Sequence, residues 1–187
     1  MDMDLFLADL ASRFDAGRRE EMDGLVGELA DAERASVDLG SRIRGGRGGP
    51  LTVVVRGGRS VRGRVLDAAD SWVLIREDAG DRLIPVSAVS AVWPLATAAP
   101  GEGVIARRLG IGHVLRALAD RRSPVVVDHD AGRHCGVISA VYADHLEIEA
   151  SVDAGSLDSR DRDARTLIGL TLSGVRCIGV VRDRWGS

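Results

Sequence analysis

The sequence has no lysine, no asparagine and no glutamine, and all 25 of its basic residues are arginine. These absences remove chemistries. There is no amine for a Schiff base, no phosphate-loop lysine and no carboxamide to read a base edge. A GC-rich genome also produces such a bias. The strong side-chain donors that remain are arginine, histidine and the hydroxyl residues. Two cysteines, Cys135 and Cys177, are too few for a disulfide framework in a chain of 187 residues. Both fall in strand-like segments and read as buried, inert thiols. No apolar run approaches the ~20 residues of a membrane span. The opening MDMDLFLADL is acidic where a secretory signal is basic. The expectation is a soluble, cytoplasmic protein with no membrane partner.

What is present is an ordinary globular balance, 45% hydrophobic and 28% charged, enough for one domain or two small ones. The net charge of −3 hides an asymmetry. Residues 1–38 carry −7, residues 39–66 carry seven arginines and no acid, and the remainder carries −3. An uninterrupted cationic stretch suits phosphates. It also suits the acidic segment directly upstream, or that segment of a neighbouring subunit.

Residues 4–16 read as a short helix, with Leu5, Leu10 and Phe14 at helical spacing. A second helix is expected from Arg18 to Arg44, where Met22, Leu25, Val26 and Leu29 form an apolar stripe. That stripe reads as a face packed on its own domain, on its copy in an oligomer, or on a partner. After GGRGGP at 45–50, five strand-like runs follow: Leu51–Val55, Ser60–Leu66, Trp72–Glu77, Arg82–Val86 and Val89–Trp93. Turn signals separate them at Arg56-Gly57-Gly58-Arg59 and Ala79-Gly80-Asp81. Short strands at this spacing predict a small barrel. ATAAPGEG then opens a linker, and Ile105–Arg122 is helical again, with Val114, Leu115 and Leu118 as its apolar stripe.

From Pro124 the pattern repeats. Val53-Val54-Val55 matches Val125-Val126-Val127. Gly63 lies ten residues before Val73, and Gly136 ten before Leu146. Ile84-Pro85-Val86-Ser87-Ala88-Val89 matches Leu170-Thr171-Leu172-Ser173-Gly174-Val175. The second copy is longer only in a polar loop, SVDAGSLDSRDRDART. The expected fold is mainly β with helices. It has an acidic helical arm (1–38), a first helix-plus-barrel repeat (39–95), a linker (96–104) and a second repeat (105–187) with a long polar loop at 150–165.

This order resembles the Sm-like (LSm) family of small β-barrels. Gly58 and Gly63 in RGGRSVRGRVL are similar to the glycines of the first Sm motif, and Asp70-Ser71-Trp72-Val73-Leu74 to its aspartate-x-x-apolar end. Ile84–Val89 is similar to the second motif. The plan also resembles tandem helix-barrel-helix-barrel proteins of actinobacteria. The resemblance covers about residues 35–182. It implies RNA association and rings closed by pairing the fourth strand of one barrel with the fifth of the next. Two fused barrels would then make a pseudo-dimer or a three-chain pseudo-hexamer. The family's RNA pocket uses an asparagine after the second strand and a basic residue in the last turn. Here the last turns are Val86-Ser87-Ala88 and Leu172-Ser173-Gly174, and no asparagine exists, so the uridine pocket is not rebuilt.

The candidate phosphate or anion contacts are Arg42, Arg44, Arg47, Arg56, Arg59, Arg62 and Arg64, several within Arg-Gly-Gly triplets at 44–46, 47–49 and 56–58. Trp72 and His145, at matching positions, are candidates for base stacking, or else cap the core. Asp128-His129-Asp130 with His134-Cys135 gathers potential ligands, but at no common zinc spacing, and these are ordinary turn residues. No metal or cofactor is expected. Gly110-Ile111-Gly112 lacks the preceding strand that a dinucleotide fingerprint needs. No catalytic constellation is found. The expected function is a non-enzymatic Sm-like module, RNA-associated through the arginines and oligomeric. The alternative is a protein-interaction or assembly module that binds no nucleic acid.

Overall fold

The computed structural model describes residues 22, 24–97, 110–151 and 165–180. The chain divides into two compact units, residues 1–37 and 38–187.

In the first unit residues 24–36 form a helix, α1. Arg34 pairs with Asp31 one turn away, 2.6 Å apart. The side chains of Met22, Leu25, Val26 and Leu29 are exposed. The helix expected over 18–44 is two helices instead. Asp38 breaks it: the residue is extended, and its carboxylate accepts the Ser41 amide at 2.6 Å while Ser41 Oγ donates to the Asp38 carbonyl. That cap, with Ser41 donating twice to Asp38, starts a new helix, α2 (Leu39–Gly45). The helix expected at 4–16 lies outside the described residues, as does most of the acidic arm.

The second unit is built on ten strands. They are β1 (Pro50–Val55), β2 (Ser60–Ala69), β3 (Trp72–Glu77), β4 (Gly80–Pro85), β5 (Val89–Trp93), β6 (Pro124–His129), β7 (Gly132–Val141), β8 (His145–Ser151), β9 (Arg165–Thr171) and β10 (Val175–Val180), with α3 (Ile111–Asp120) between β5 and β6. The turn expected at Ala79-Gly80-Asp81 falls one residue earlier. Glu77 pairs with Gly80, which opens β4 at φ 136°. The helix expected over Ile105–Arg122 is α3, preceded by Gly110; residues 105–109 lie outside the described set, as do 98–104 of the linker and 152–164 of the polar loop.

All ten strands lie in one antiparallel sheet, in the order β5-β1-β2-β3-β4-β10-β6-β7-β8-β9. The sheet is not closed. The second five strands repeat the first five in order and in detail. Gly63 faces Leu51, and Gly136 faces Val125. A bulge interrupts β2 between Val65 and Asp67, and β7 at the matching place between Ile138 and Ala140. Such bulges bend a strand sharply. A single 3-10 turn, Val86–Ala88 or Leu172–Gly174, joins the last two strands of each half. Val86 N–H donates to the Ser71 carbonyl at 2.9 Å, and Leu172 N–H to the Asp144 carbonyl at 2.7 Å.

Alternating apolar residues place the core. Ile43 of α2, Val53, Val61, Val73, Ile75 and Ile84 form one buried cluster, and Leu115 of α3, Val127, Ile138, Leu146, Ile148 and Ile178 another. The clusters exchange residues. Trp72 and Leu83 of the first half pack in the second cluster, and Cys177 of the second half packs in the first. No helix among the described residues is long and apolar enough to cross a membrane.

Candidate interaction surface

Five of the seven candidate arginines are engaged within the chain. Arg42 Nε donates to the Ala96 carbonyl at 3.0 Å. Arg44, with 8% of its side chain exposed, pairs with Asp70 at 3.0 Å. Arg47 donates to the Leu66 carbonyl at 3.1 Å and faces Asp67 at 3.7 Å. Arg56 and Arg59 occupy the β1–β2 turn, where Gly57 and Gly58 take φ of 82° and 81°, a conformation that glycine adopts without strain. Both reach into the second half. Arg56 donates to the Ser173 carbonyl and faces Asp130 at 3.4 Å, and Arg59 pairs with the largely buried Asp128. Arg176 returns the contact from β10, donating to the His129 carbonyl and facing Asp130 at 3.6 Å. Of the seven, only Arg62 and Arg64, two apart on one exposed face of β2, have guanidinium groups without a partner among the described residues; the Arg62 backbone N–H donates to Glu77 Oε1 at 3.3 Å.

The two stacking candidates have different surroundings. Trp72 is 7% exposed and its ring belongs to the core, so a base cannot reach it without opening that core. His145 is accessible. Its ring stacks on Tyr142 with centroids 4.4 Å apart at 12°, and its Nδ1 lies 2.6 Å from Asp144 Oδ1. That hydrogen bond holds the Asp144 carboxyl below its ordinary pKa. A cavity of about 580 Å³ borders Tyr142, lined also by Ser71, Ile111, His113 and Arg116.

The turn considered for metal binding is held by its own hydrogen bonds. Ala131 N–H donates to His129 Nδ1 at 3.0 Å, so Nε2 carries the proton and donates to the Thr171 carbonyl at 3.1 Å. His129 replaces the Val55 of the first half, and Gly174 replaces Ala88; a Cβ at 174 would lie inside the imidazole. No group of three potential ligands converges among the described residues. Cys177 is buried, and desolvation raises its thiol to about 12. Cys135, expected to be buried, is exposed, because β7 turns that residue outward.

The resemblance implies a fourth strand pairing with a fifth, and within this chain such a pair forms the seam where the halves meet; the residues that meet there are not among the candidates. β4 pairs with β10 through Leu83↔Ile178, Arg82↔Gly179 and Asp81↔Val180. The Arg82 guanidinium occupies the space where a Cβ of residue 179 would stand, and Glu77 accepts from its Nε at 2.8 Å. Among the described residues this seam leaves two edges, β5 and β9, each hydrogen-bonded to one neighbouring strand. Two large exposed apolar side chains lie on those edges: Trp93 on β5, 51% exposed, and Leu167 on β9, 56% exposed. An open edge carrying exposed apolar residues is a template for pairing.

Scans against protein-family models, curated proteins and solved structures find no match to this chain.

Proposed function

We propose that the chain is a non-enzymatic assembly module: two tandem Sm-like barrels fused through the β4–β10 seam, which self-associates through its open edges β5 and β9. The observation that carries this reading is the seam itself. A fourth strand of one half and a fifth strand of the other pair within the chain, and among the described residues the remaining fifth and fourth strands have one neighbour each. Each chain therefore offers one edge of each kind. Such a contact is head-to-tail, and it closes a ring when its rotation closes. Light scattering on the purified chain tests it. A mass that is an integer multiple of one chain is expected, and a mass of one chain at micromolar concentration overturns the reading.

A second reading, RNA association through backbone phosphates, is favoured by Arg62 and Arg64 alone, because the other five arginines already hold internal partners. The two free cations of this stretch give a correspondingly shallow salt dependence, since each neutralised phosphate contributes about 0.9 to the logarithmic slope on duplexes and about 0.7 on single strands.

A further inference from the structure

Given that self-association, we infer that β5 of one copy pairs with β9 of a second copy in a register that sets Trp93 opposite Ile168, and that Trp93 decides which edge β5 accepts. The register follows from equivalence within the fold. Arg82 and Ile168 are the same position, because each faces an isoleucine of the preceding strand, Ile75 and Ile148. Gly179 and Trp93 are likewise the same position, facing Val126 and Thr52. The internal pair Arg82↔Gly179 thus transposes to Ile168↔Trp93, and Leu83↔Ile178 to Gly169↔Val92.

The side chains at these positions are matched within each pair and mismatched between pairs. On β4 the Arg82 guanidinium, held by Glu77, fills the volume that only a glycine at 179 leaves free. An indole placed there would have to displace that guanidinium from Glu77, so β5 is a poorer partner for β4 than β10 is. On β9 the opposing residue is Ile168, Leu167 beside it is exposed, and a Cβ at Gly169 would meet nothing within 4 Å. An aromatic residue opposite a β-branched one is a favourable cross-strand pair. The occupant is a second copy of this chain because both complementary edges belong to it, and each repeats one side of an existing seam.

Three variants test the pairing by mass in solution, each checked for fold by circular dichroism. Trp93→Glu is expected to reduce the assembly to single chains. Adding Ile168→Arg places opposite charges across the strands and is expected to restore the wild-type mass; arginine already fits the equivalent position 82. Adding Ile168→Glu instead is expected to leave single chains. Should a change at 168 unfold the protein, Leu167→Glu serves at an exposed position. It is expected to weaken association by about tenfold, while Tyr142→Glu, equally exposed but on neither edge, leaves it unchanged. An assembly that survives Trp93→Glu, or a folded Trp93→Glu/Ile168→Arg chain that stays single, overturns this pairing while self-association stands. A single-chain mass for the unaltered protein overturns self-association itself.

Discussion

At the scale of single residues, the two glycines Gly63 and Gly136 carry more of the architecture than any charged group. A Cβ on Gly63 would be driven into the Arg76 carbonyl, and one on Gly136 into the Glu149 carbonyl, backbone atoms of the neighbouring strand that cannot swing aside. The two contacts are the same contact in the two halves. Gly63→Ala and Gly136→Ala are each expected to destabilise the fold by at least about 2 kcal/mol, the scale of overpacking against a fixed wall. Gly169→Ala, with open space at its Cβ, is expected to fall within about 0.5 kcal/mol of the parent protein. Urea denaturation midpoints at unchanged slope distinguish these outcomes. Equal costs at 63 and 169 would mean that backbone freedom, not close approach, explains the glycines.

At the scale of elements, the β1–β2 turn does what no local pattern announces. It is four residues long, Arg56 to Arg59, where the equivalent β6–β7 turn is only Asp130-Ala131. The two extra residues carry Arg59 to Asp128 and Arg56 to Asp130, across to the other half. Asp128 is largely buried, and its other cation, Arg133, is 3.9 Å away. Removing Arg59 therefore leaves a desolvated carboxylate poorly matched. Arg59→Ala is expected to cost about 1–3 kcal/mol, and a double-mutant cycle with Asp128→Ala is expected to show coupling between them. A coupling of zero would place the pair among solvated surface contacts that contribute little. The repeat was legible because strands and their glycines are local signals: matching valine runs at 53–55 and 125–127, Gly63 and Gly136 at matched spacing, and the two final turns at 86–88 and 172–174. The break at Asp38 was carried by a capping residue that the helical stripe of Met22 to Leu29 obscured. The resemblance implies a fourth-to-fifth strand pairing, but the register of the seam was not legible, because pairing Leu83 with Ile178 joins residues that no periodicity links. For the same reason the cationic stretch read as open to phosphates or to the acidic segment upstream, although most of its guanidinium groups are closed onto carboxylates and carbonyls of residues 66–173.

At the scale of the whole molecule, the charge partition and the open edges lead to different partners, and one measurement separates them. An arginine stretch available to phosphates would make nucleic acid part of the assembly. Here the stretch is largely consumed by the fold: Arg44 on Asp70, Arg56 and Arg59 on the second half, Arg42 and Arg47 on backbone carbonyls. What remains open among the described residues is backbone hydrogen-bonding capacity along β5 and β9, which another strand satisfies and a polyanion does not. Association through strands should be nearly indifferent to salt, whereas phosphate contacts weaken steeply with it. Nuclease treatment of the purified protein is therefore expected to leave its mass in solution unchanged. Arg62→Ser/Arg64→Ser, which removes the two unpaired guanidinium groups of that stretch, is expected to leave it unchanged as well. A mass that collapses under nuclease, or on loss of these two arginines, would make nucleic acid the agent of assembly and reduce the edges to a consequence of it.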